Sequence, residues 1–303
     1  MRRSKLSRRG RGTAAGVAAT GALLLVPGAA LANHPVLVEG NCNNPPSAQP
    51  FTTAPAPGTC GDYDGDGRIG TAEDGDGDRV FGTLNAANGP SGIANNGTIT
   101  VVTSGLFPET VTLTGNVTLE GAPGVEANID AVRQGDPDSN ARQGRPGIVV
   151  NAPKNRRVVI RNVQSRNWTS GIQIKGDSRV SLNRVRVEHN VNYGVEVTDD
   201  ARVAITGSEV EATGFRLNPM TGDFPAANRP DPGKGIEFDD RSSGTVVSST
   251  VTGSFGAGIS DSSSGSVCVA HVNVFDNDPD IEGRVTVRSS CIGAGSDRRY
   301  RRR

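Results

Sequence analysis

The stretch Gly171-Ile172-Gln173-Ile174 recurs three times along the chain, as Gly194-Val195-Glu196-Val197, Gly235-Ile236-Glu237-Phe238 and Gly258-Ile259-Ser260-Asp261. The steps between the four glycines are 23, 41 and 23, and 41 is one period of 23 plus an insertion of 18. Other apolar residues return at fixed offsets from these glycines: Val180, Leu182, Val203, Ile205, Val267 and Val269, and, at offset sixteen, Val187, Val210, Val251 and Val274. The sequence is therefore a repeat with a period of about 23 residues, which lies in the range of solenoid repeats.

Each repeat has the chemistry of short β-strands. Its apolar residues alternate with polar ones at a period of two, and Gly, Asn, Asp and Ser interrupt them too often for helices. A repeat of this length made of strands predicts a parallel β-helix. The composition agrees, because 40 glycines and only 4% aromatic residues leave β-branched side chains to build the core.

The N-terminal residues 1–32 have the pattern of a secretory signal. Six basic residues precede an apolar run from Ala14 to Leu25, and Ala30-Leu31-Ala32 forms an Ala-x-Ala cleavage site. The pair Arg8-Arg9 leaves the twin-arginine route open beside the general secretory route. The apolar run is too short to span a membrane, and no later segment approaches about 18 apolar residues. We expect a secreted or extracellular protein without a membrane span, with association with the cell wall as one alternative.

The charge balance argues against nucleic acid as the partner. The chain has 32 basic and 32 acidic residues, and residues 1–32 contain six of the basic ones and none of the acidic ones. Cleavage would leave a net charge of about −6, which has the wrong sign for a phosphate backbone. The basic residues 296–303 are expected to form a solvated tail, with docking to an anionic wall polymer as the alternative.

Four cysteines follow the predicted signal, an even number in an oxidising compartment. Cys291 follows Cys268 by one repeat, so the two would stack on adjacent coils about 4.8 Å apart. Cys268 lies between two inward valines and would point outward, where a disulfide can close without strain in the core. We predict that Cys268 pairs with Cys291 and, by elimination, that Cys42 pairs with Cys60.

An acidic segment at 60–80 carries the most specific local motif, and the Pro- and Asn-rich residues 33–59 before it are predicted to be a linker. The twelve residues from Asp62 to Glu73 match a calcium loop at each diagnostic position. The oxygen ligands would come from Asp62, Asp64, Asp66, the carbonyl of Arg68 and Glu73. Asp76 and Asp78 could add a second, weaker site. Calcium is therefore the predicted cofactor, and an acidic spacer without metal is the alternative.

The flanks of this loop differ from those of an EF-hand. Asp74 stands where an apolar helical residue is expected, and Pro57-Gly58 stands where the entering helix should be. The segment resembles instead the helix-poor calcium loops of dockerin modules and of thrombospondin type 3 repeats. Because no pair of helices that could open a groove is visible in the sequence, we expect a structural and not a sensory use of calcium.

Residues 81–97 are expected to cap the solenoid, and residues 98–295 to form it. The run from Gly105 to Leu113, followed by Asn116 to Gly121, resembles the opening coil of pectate-lyase-like proteins. The four glycine repeats resemble the same superfamily, so the likeness covers about two thirds of the chain. The resemblance implies an all-β fold, a right-handed parallel β-helix with coils of about 23 residues.

The residue signatures of pectin-degrading members of that superfamily are not evident in the sequence. It contains no Asn-Thr-Asp with a following Asp-Asp and Gly-His-Gly, as in polygalacturonases, and no Arg-x-Pro-x-x-Arg, as in pectate lyases. His34, His189 and His271 are the only histidines, which leaves few candidates for histidine-based catalysis. Pectin chemistry is therefore not supported, and no catalytic residue is assigned.

Two loops are expected to protrude from the coils. The insertion of 18 falls within 213–234, and the segment 133–146 lacks a strand pattern and also ends at a Gly-Ile pair. The step from Val117 to Val158 is again 41, which supports the second insertion. Another alignment of the first coils stays open, because Gly147 follows Gly124 by a step of 23. If both loops leave at one corner, they stand three coils, or about 14 Å, apart.

Between the two loops lies a corner that has the residues of a carbohydrate site. Trp168, the only tryptophan, and Tyr193 would form a stacking floor for a sugar. Hydrogen bonds would come from four neighbours: Arg166, Asn167, His189 and Asn190. The alternative is that Trp168 caps the core and that both asparagines are turn or ladder residues.

A second polar row follows from the repeat. Gln173, Glu196 and Glu237 share one offset from the glycines, and Asp199 and Asp240 share another. Stacked carboxylates could serve as an acid and base pair or bind a cation. The alternative is ordinary turn chemistry.

Two classes of function remain. The first is an exported, calcium-stabilised scaffold that binds carbohydrate or a surface polymer, such as a polysaccharide or cell-surface glycan, without catalysis. The alternative is a polysaccharide lyase, hydrolase or epimerase that acts on an extracellular or cell-envelope glycan. The sequence leaves open whether the protein is an enzyme.

Overall fold

The computed structural model describes residues 36–39, 80–90, 92–132, 142–214 and 233–291. Within these ranges the strands form three parallel sheets of ten, seven and seven strands, and a short helix, α1 (Leu84–Asn88), precedes the main coils. The chain passes from the first sheet to the second and third and then returns to the first. From β3 to β21, each strand pairs with the corresponding strand of the next coil, so the prediction of an all-β parallel β-helix is confirmed.

The first sheet contains β1 (Val36–Glu39), β2 (Val80–Phe81), β3 (Asn96–Thr103), β6 (Asn116–Gly121), β9 (Arg157–Arg161), β12 (Arg179–Asn183), β15 (Arg202–Thr206), β18 (Ser243–Val247), β21 (Val267–Ala270) and β24 (Thr286–Val287). The second contains β4 (Gly105–Phe107), β7 (Ala127–Asp130), β10 (Val163–Arg166), β13 (Arg186–Glu188), β16 (Glu209–Glu211), β19 (Thr250–Thr252) and β22 (Asn273–Phe275). The third contains β5 (Val111–Leu113), β8 (Ile148–Val150), β11 (Ser170–Ile174), β14 (Tyr193–Val197), β17 (Lys234–Phe238), β20 (Ile259–Asp261) and β23 (Ile281–Gly283).

The register of the third sheet confirms the repeat. Ile172 pairs with Val195, Val195 with Ile236, and Ile236 with Ile259, so the strands pair at the same steps that separate the repeat glycines. In the first sheet Val117 pairs with Val158, so the second insertion is also confirmed. The alternative alignment, which places Gly124 one repeat before Gly147, does not occur. The strand that pairs with β8, directly after Gly147, is β5 (Val111–Leu113), and β5 lies before Gly124 in the chain.

The repeated glycines are required by close approach of neighbouring coils. A Cβ on Gly171 would lie 2.4 Å from a Val187 methyl and 2.8 Å from the carbonyl oxygen of Gly194. The same crowding recurs at Gly194, where a Cβ would lie 2.6 Å from the carbonyl oxygen of Gly235. The inward residues that follow each glycine then stack into a continuous, fully buried core.

The N-terminal end differs in one place from the prediction. Residues Val36–Glu39, inside the predicted linker 33–59, form β1, which lies between β2 and β3 in the first sheet. Its Val-Leu-Val run has the apolar character of a strand but is too short to stand out from its surroundings. Helix α1 lies in the predicted cap, and the carboxylate of Glu109 accepts hydrogen bonds from its Leu84 and Asn85 amides at 2.7 and 3.0 Å.

The predicted disulfide between Cys268 and Cys291 is present, with a Cα–Cα distance of 5.8 Å. The geometric argument for this pairing was wrong, because the residue that lies next to Cys268 on the adjacent strand is Thr286 and not Cys291. The last coil is shorter than one full repeat, since Val269 pairs with Val287, and Cys291 lies beyond the end of β24. Cys268 alternates with inward valines as predicted, yet it is buried and not exposed.

Several predicted segments lie outside the described residues. They are the signal 1–32, both Cys42 and Cys60, the calcium loop Asp62–Glu73 with Asp76 and Asp78, and the tail 296–303. In the ranges that the structure covers, no helix has the length and apolarity needed to cross a membrane. The same ranges contain no cluster of three or more His, Cys, Asp or Glu side chains placed to hold a metal ion.

Candidate functional site

Trp168 is part of the core and is not the floor of a binding corner. Its ring has no exposed surface, and its indole nitrogen donates a hydrogen bond to the carbonyl oxygen of Ile129 at 2.8 Å. The ring occupies space left by Gly147, where a Cβ would lie 2.6 Å from the indole. The predicted stacking role of Trp168 is therefore wrong, because a buried ring cannot contact a sugar. The alternative, a corner cap of the core, is correct.

The two asparagines near Trp168 hold the chain in its corner. Asn190 is fully buried, and its side-chain oxygen accepts a hydrogen bond from the Trp168 amide at 3.1 Å. Asn167 adopts a left-handed backbone, with φ of 64°, and its side chain donates to the carboxylate of Asp130 at 2.8 Å. Both are turn or ladder residues, and neither is placed to meet a ligand.

Arg166 and His189 belong to a charge network on the outward face of the second sheet. Arg166 forms ion pairs with Asp130 at 2.6 Å and with Glu188 at 3.4 Å. Arg186 also contacts Glu188, at 3.1 Å. His189 is half-buried beside this network, and burial is the largest cause that lowers its pKa from the ordinary value. Both arginines are engaged with carboxylates of the same sheet and His189 is half-buried beside them, so the predicted hydrogen-bonding role toward a sugar has no geometric support.

Tyr193 lies elsewhere, on the outward side of the third sheet. It is the first residue of β14 and is half-buried. In register it pairs with Ser170 on one side and with Lys234 on the other. These three residues each precede a repeat glycine by one position. Of the six predicted corner residues, Tyr193 alone faces the surface described next.

The predicted row of Gln173, Glu196 and Glu237 is present on the same face. The three residues are in register on β11, β14 and β17, with neighbouring strands about 4.8 Å apart. One carboxylate oxygen of Glu196 accepts hydrogen bonds from the Ser170 hydroxyl at 2.8 Å and the Gln173 amide at 3.1 Å. The row continues through Ser260 of β20 and Glu282 of β23.

Lys234 places a positive charge beside this row. Its ammonium lies 2.9 Å from Glu237 Oε2, 3.3 Å from Ser260 Oγ and 3.9 Å from Glu282 Oε2. Burial alone would lower the pKa of Lys234, but the hydrogen bond and charge of Glu237 and the charge of Glu282 outweigh it, so the pKa is raised. Lys234 is therefore a permanent cation at neutral pH.

We give the name third-sheet row to six outward-facing residues: Ser170, Gln173, Tyr193, Glu196, Lys234 and Glu237. Ser170 and Glu237 are buried, and the other four are half-buried. Both insertions interrupt the chain beside it. The segment 133–141, outside the described residues, lies between β7 and β8, and the segment 215–232, also outside them, lies between β16 and β17. Both therefore leave the coils at the same corner, three coils apart, as predicted. Strands β11 and β14, which carry Gln173 and Glu196, lie between them.

Asp199 and Asp240 are turn residues. Both have left-handed backbones, with φ of 58° and 57°, in the turn between the third and first sheets. The carboxylate of Asp199 accepts a hydrogen bond from the Gly176 amide at 2.8 Å, and that of Asp240 accepts one from the Asp199 amide at 3.1 Å. Each carboxylate binds the backbone of the preceding coil, which is the turn chemistry given as the alternative.

Sequence reasoning did not include Ser170 and Lys234 in the site. A signal was available, because these residues and Tyr193 share the position before the glycine anchor. Lys234 was grouped with the inserted loop because it ends the insertion, whereas the structure makes it the first residue of β17.

The comparisons with known proteins agree with this architecture. The family described as right handed beta helix region matches residues 111–278, more than half of the chain. No curated protein and no solved structure matched the sequence. The family match covers the coils from β5 to β22, including every residue of the third-sheet row. The chain therefore belongs to the right-handed β-helix family.

Proposed function

We propose that the protein is an exported, calcium-stabilised β-helix that binds a carbohydrate on the third-sheet row without catalysis. The observation that carries this proposal is the position of the row: Gln173 and Glu196 lie on the two coils between two insertions that leave at one corner. β-helix proteins often bind polysaccharides. Export, calcium and the likeness to pectate-lyase-like proteins rest on the sequence.

The chemistry of the row suits sugar hydroxyl groups. The carboxylate of Glu196 and the amide of Gln173 offer acceptors and a donor, and Tyr193 adds a partly exposed aromatic ring. Lys234 adds a charged donor. Small sets of polar groups that converge beside an aromatic ring are the usual way in which sites fix the orientation of a ligand.

The partners of the carboxylates favour binding over catalysis. Glu237 is 6% exposed and is held by Lys234 at 2.9 Å and by the Ser262 hydroxyl at 3.3 Å. Glu196 accepts hydrogen bonds from Ser170 and Gln173. A general acid must carry and release a proton, and a carboxylate in contact with an ammonium group is poorly suited to that task.

One observation favours the alternative of a glycan-cleaving enzyme. Glu196 and Glu237 stack in register on adjacent strands, about 4.8 Å apart. The two carboxyl groups of retaining glycosidases are about 5 Å apart, so the backbone spacing permits such a pair.

Binding measurements with a matched variant test the proposal. Calorimetry against a panel of neutral oligosaccharides should find a ligand whose affinity falls by at least about tenfold, or about 1.4 kcal/mol, in Glu196→Gln. The control is Glu209→Gln, which makes the same chemical change on the second sheet, where Glu209 is exposed. Equal losses in both variants, or no binding to any neutral glycan, would contradict the proposal.

A further inference from the structure

The outward face of the first sheet carries a row of stacked arginines. Arg157, Arg179 and Arg202 are the first residues of β9, β12 and β15, and they pair in register on three consecutive coils. All three are exposed, and in each strand the residue that follows the arginine is a buried valine. Adjacent strands are about 4.8 Å apart, so three like charges repeat at that spacing.

Within the described residues, the neighbouring acids form no direct ion pair with this row. None of the carboxylates in the described ranges forms an ion pair with Arg157, Arg179 or Arg202, although Arg157 donates a hydrogen bond to Ser181 Oγ at 3.2 Å. Other surface arginines are paired: Arg161 binds Glu120, and Arg241 binds Asp200 through two hydrogen bonds of 2.7 and 2.6 Å.

Two further cations stand at the start of the row, and two acids stand beside it. Lys154 and Arg156 are exposed in the turn before Arg157. Asp177 is exposed shortly before Arg179, and Asp200, similarly placed before Arg202, binds Arg241 and also interacts electrostatically with Arg202 and Lys154. The row is therefore locally basic on a chain whose sequence predicts a net negative charge after cleavage.

We name the strip of small or β-branched side chains beside the arginines the trough. It consists of the next outward row: Thr98, Thr118, Val159, Ser181, Ala204 and Thr245. One end of the trough forms an open groove of about 430 Å³ lined by Asn96, Asn116 and Arg157 together with Thr98 and Thr118. Asn96 and Asn116 continue the arginine row toward β3, so amide groups follow the guanidinium groups along one line.

We infer that this trough is a second binding site, for a polysaccharide that carries repeating anionic groups. A guanidinium group binds carboxylate, sulfate or phosphate oxygens through paired hydrogen bonds. A row of them at a fixed spacing suits a polymer with one anion on successive units. The small residues of the trough allow a flat chain to approach the sheet. Among the described residues that line the trough there is no aromatic ring for base stacking, which argues against single-stranded nucleic acid.

This site does not depend on the third-sheet row, which carries carboxylates and would repel an anionic polymer. The test compares dextran sulfate with dextran, which share a backbone, and adds alginate to separate carboxylate from sulfate recognition. The variant Arg179→Gln/Arg202→Gln is compared with Arg184→Gln/Arg284→Gln, which removes the same charge from exposed positions outside the row.

The purified protein should bind dextran sulfate or alginate and not dextran, with affinity that falls as salt is added. The row variant should lose at least about tenfold in affinity, which corresponds to one lost charged contact or more, while the control variant changes by less than about twofold. Unchanged thermal melting of both variants shows that folding is intact. Equal losses in the two variants, binding to dextran, equal affinity for single-stranded DNA, or no binding would each overturn the inference.

Discussion

The indole nitrogen of Trp168 lies 2.8 Å from the carbonyl oxygen of Ile129, and the ring around it has no exposed surface. This contact joins two adjacent coils at the corner where the insertions leave. Gly147 provides the space for the ring on the coil before it. The single tryptophan of the chain therefore reports on the packing of the corner and not on a ligand.

Replacement of Trp168 by alanine should destabilise the fold. The change removes a buried aromatic ring and leaves Ile129 O without its donor, so the free energy of unfolding should fall by about 3 to 5 kcal/mol. Denaturant unfolding measures this loss. The control is Phe275→Ala, because Phe275 is 47% exposed and its loss should change stability by less than about 0.5 kcal/mol. Tryptophan emission that iodide quenches, or that a glycan shifts, would contradict the buried position.

The disulfide at the C-terminal end should stabilise the last coil. The disulfide closes a loop between residues that are 23 positions apart in the sequence. The variant Cys268→Ala/Cys291→Ala should therefore lower the free energy of unfolding by about 3 kcal/mol. Peptide mapping without reduction should recover the Cys268–Cys291 link. Recovery of Cys60 joined to Cys268 would show that the C-terminal register is wrong.

The repeat predicted the fold because the glycine anchors and the alternating valines recur at every coil. Features that occur in a single coil, and that the repeat therefore does not show, could not be predicted so well. Cys291 follows Cys268 by one full repeat, but the last coil is shorter than that, so the pairing was right and the stacking argument was not. Trp168 was ambiguous because the space that buries it is made by Gly147, on the preceding coil. Lys234 was not assigned to the site because it is the last residue of the insertion, so the repeat did not show that it begins a strand.

Calcium binding stays a prediction from the sequence. Calorimetry should find at least one site with a dissociation constant of about 10⁻⁴ to 10⁻³ M, or tighter if the second acidic run contributes. Asp62→Ala/Asp66→Ala should abolish it, whereas Asp297→Ala, an acid in the basic tail, should not. If calcium produces neither binding heat nor a rise in thermal stability, the prediction of calcium binding is wrong.

His189 should make the protein more sensitive to acid. Burial lowers its pKa below 6.5, and the charges of Arg166 and Arg186 act in the same direction, while Glu188 and Glu211 oppose them. The unfolded chain then binds the proton more readily, so stability is lost as the pH falls from about 6.5 through the folded pKa.

The variant His189→Asn tests this, because asparagine tolerates the left-handed backbone at position 189, where φ is 55°. Between about pH 7.5 and pH 5 the wild type should lose more unfolding free energy than the variant, since the other titrating groups are common to both. Parallel losses in the two proteins would show that His189 does not titrate as described.

The central claim is that the third-sheet row binds a glycan and does not cleave it. The most direct measurement incubates the wild type, Glu196→Gln and Glu237→Gln with a panel of neutral polysaccharides and follows binding and product release in the same samples. We predict that the wild type binds at least one polysaccharide, that Glu196→Gln weakens this binding, and that no sample releases new reducing ends or unsaturated sugars. Product released by the wild type and abolished in either variant would contradict the claim and assign the row to catalysis.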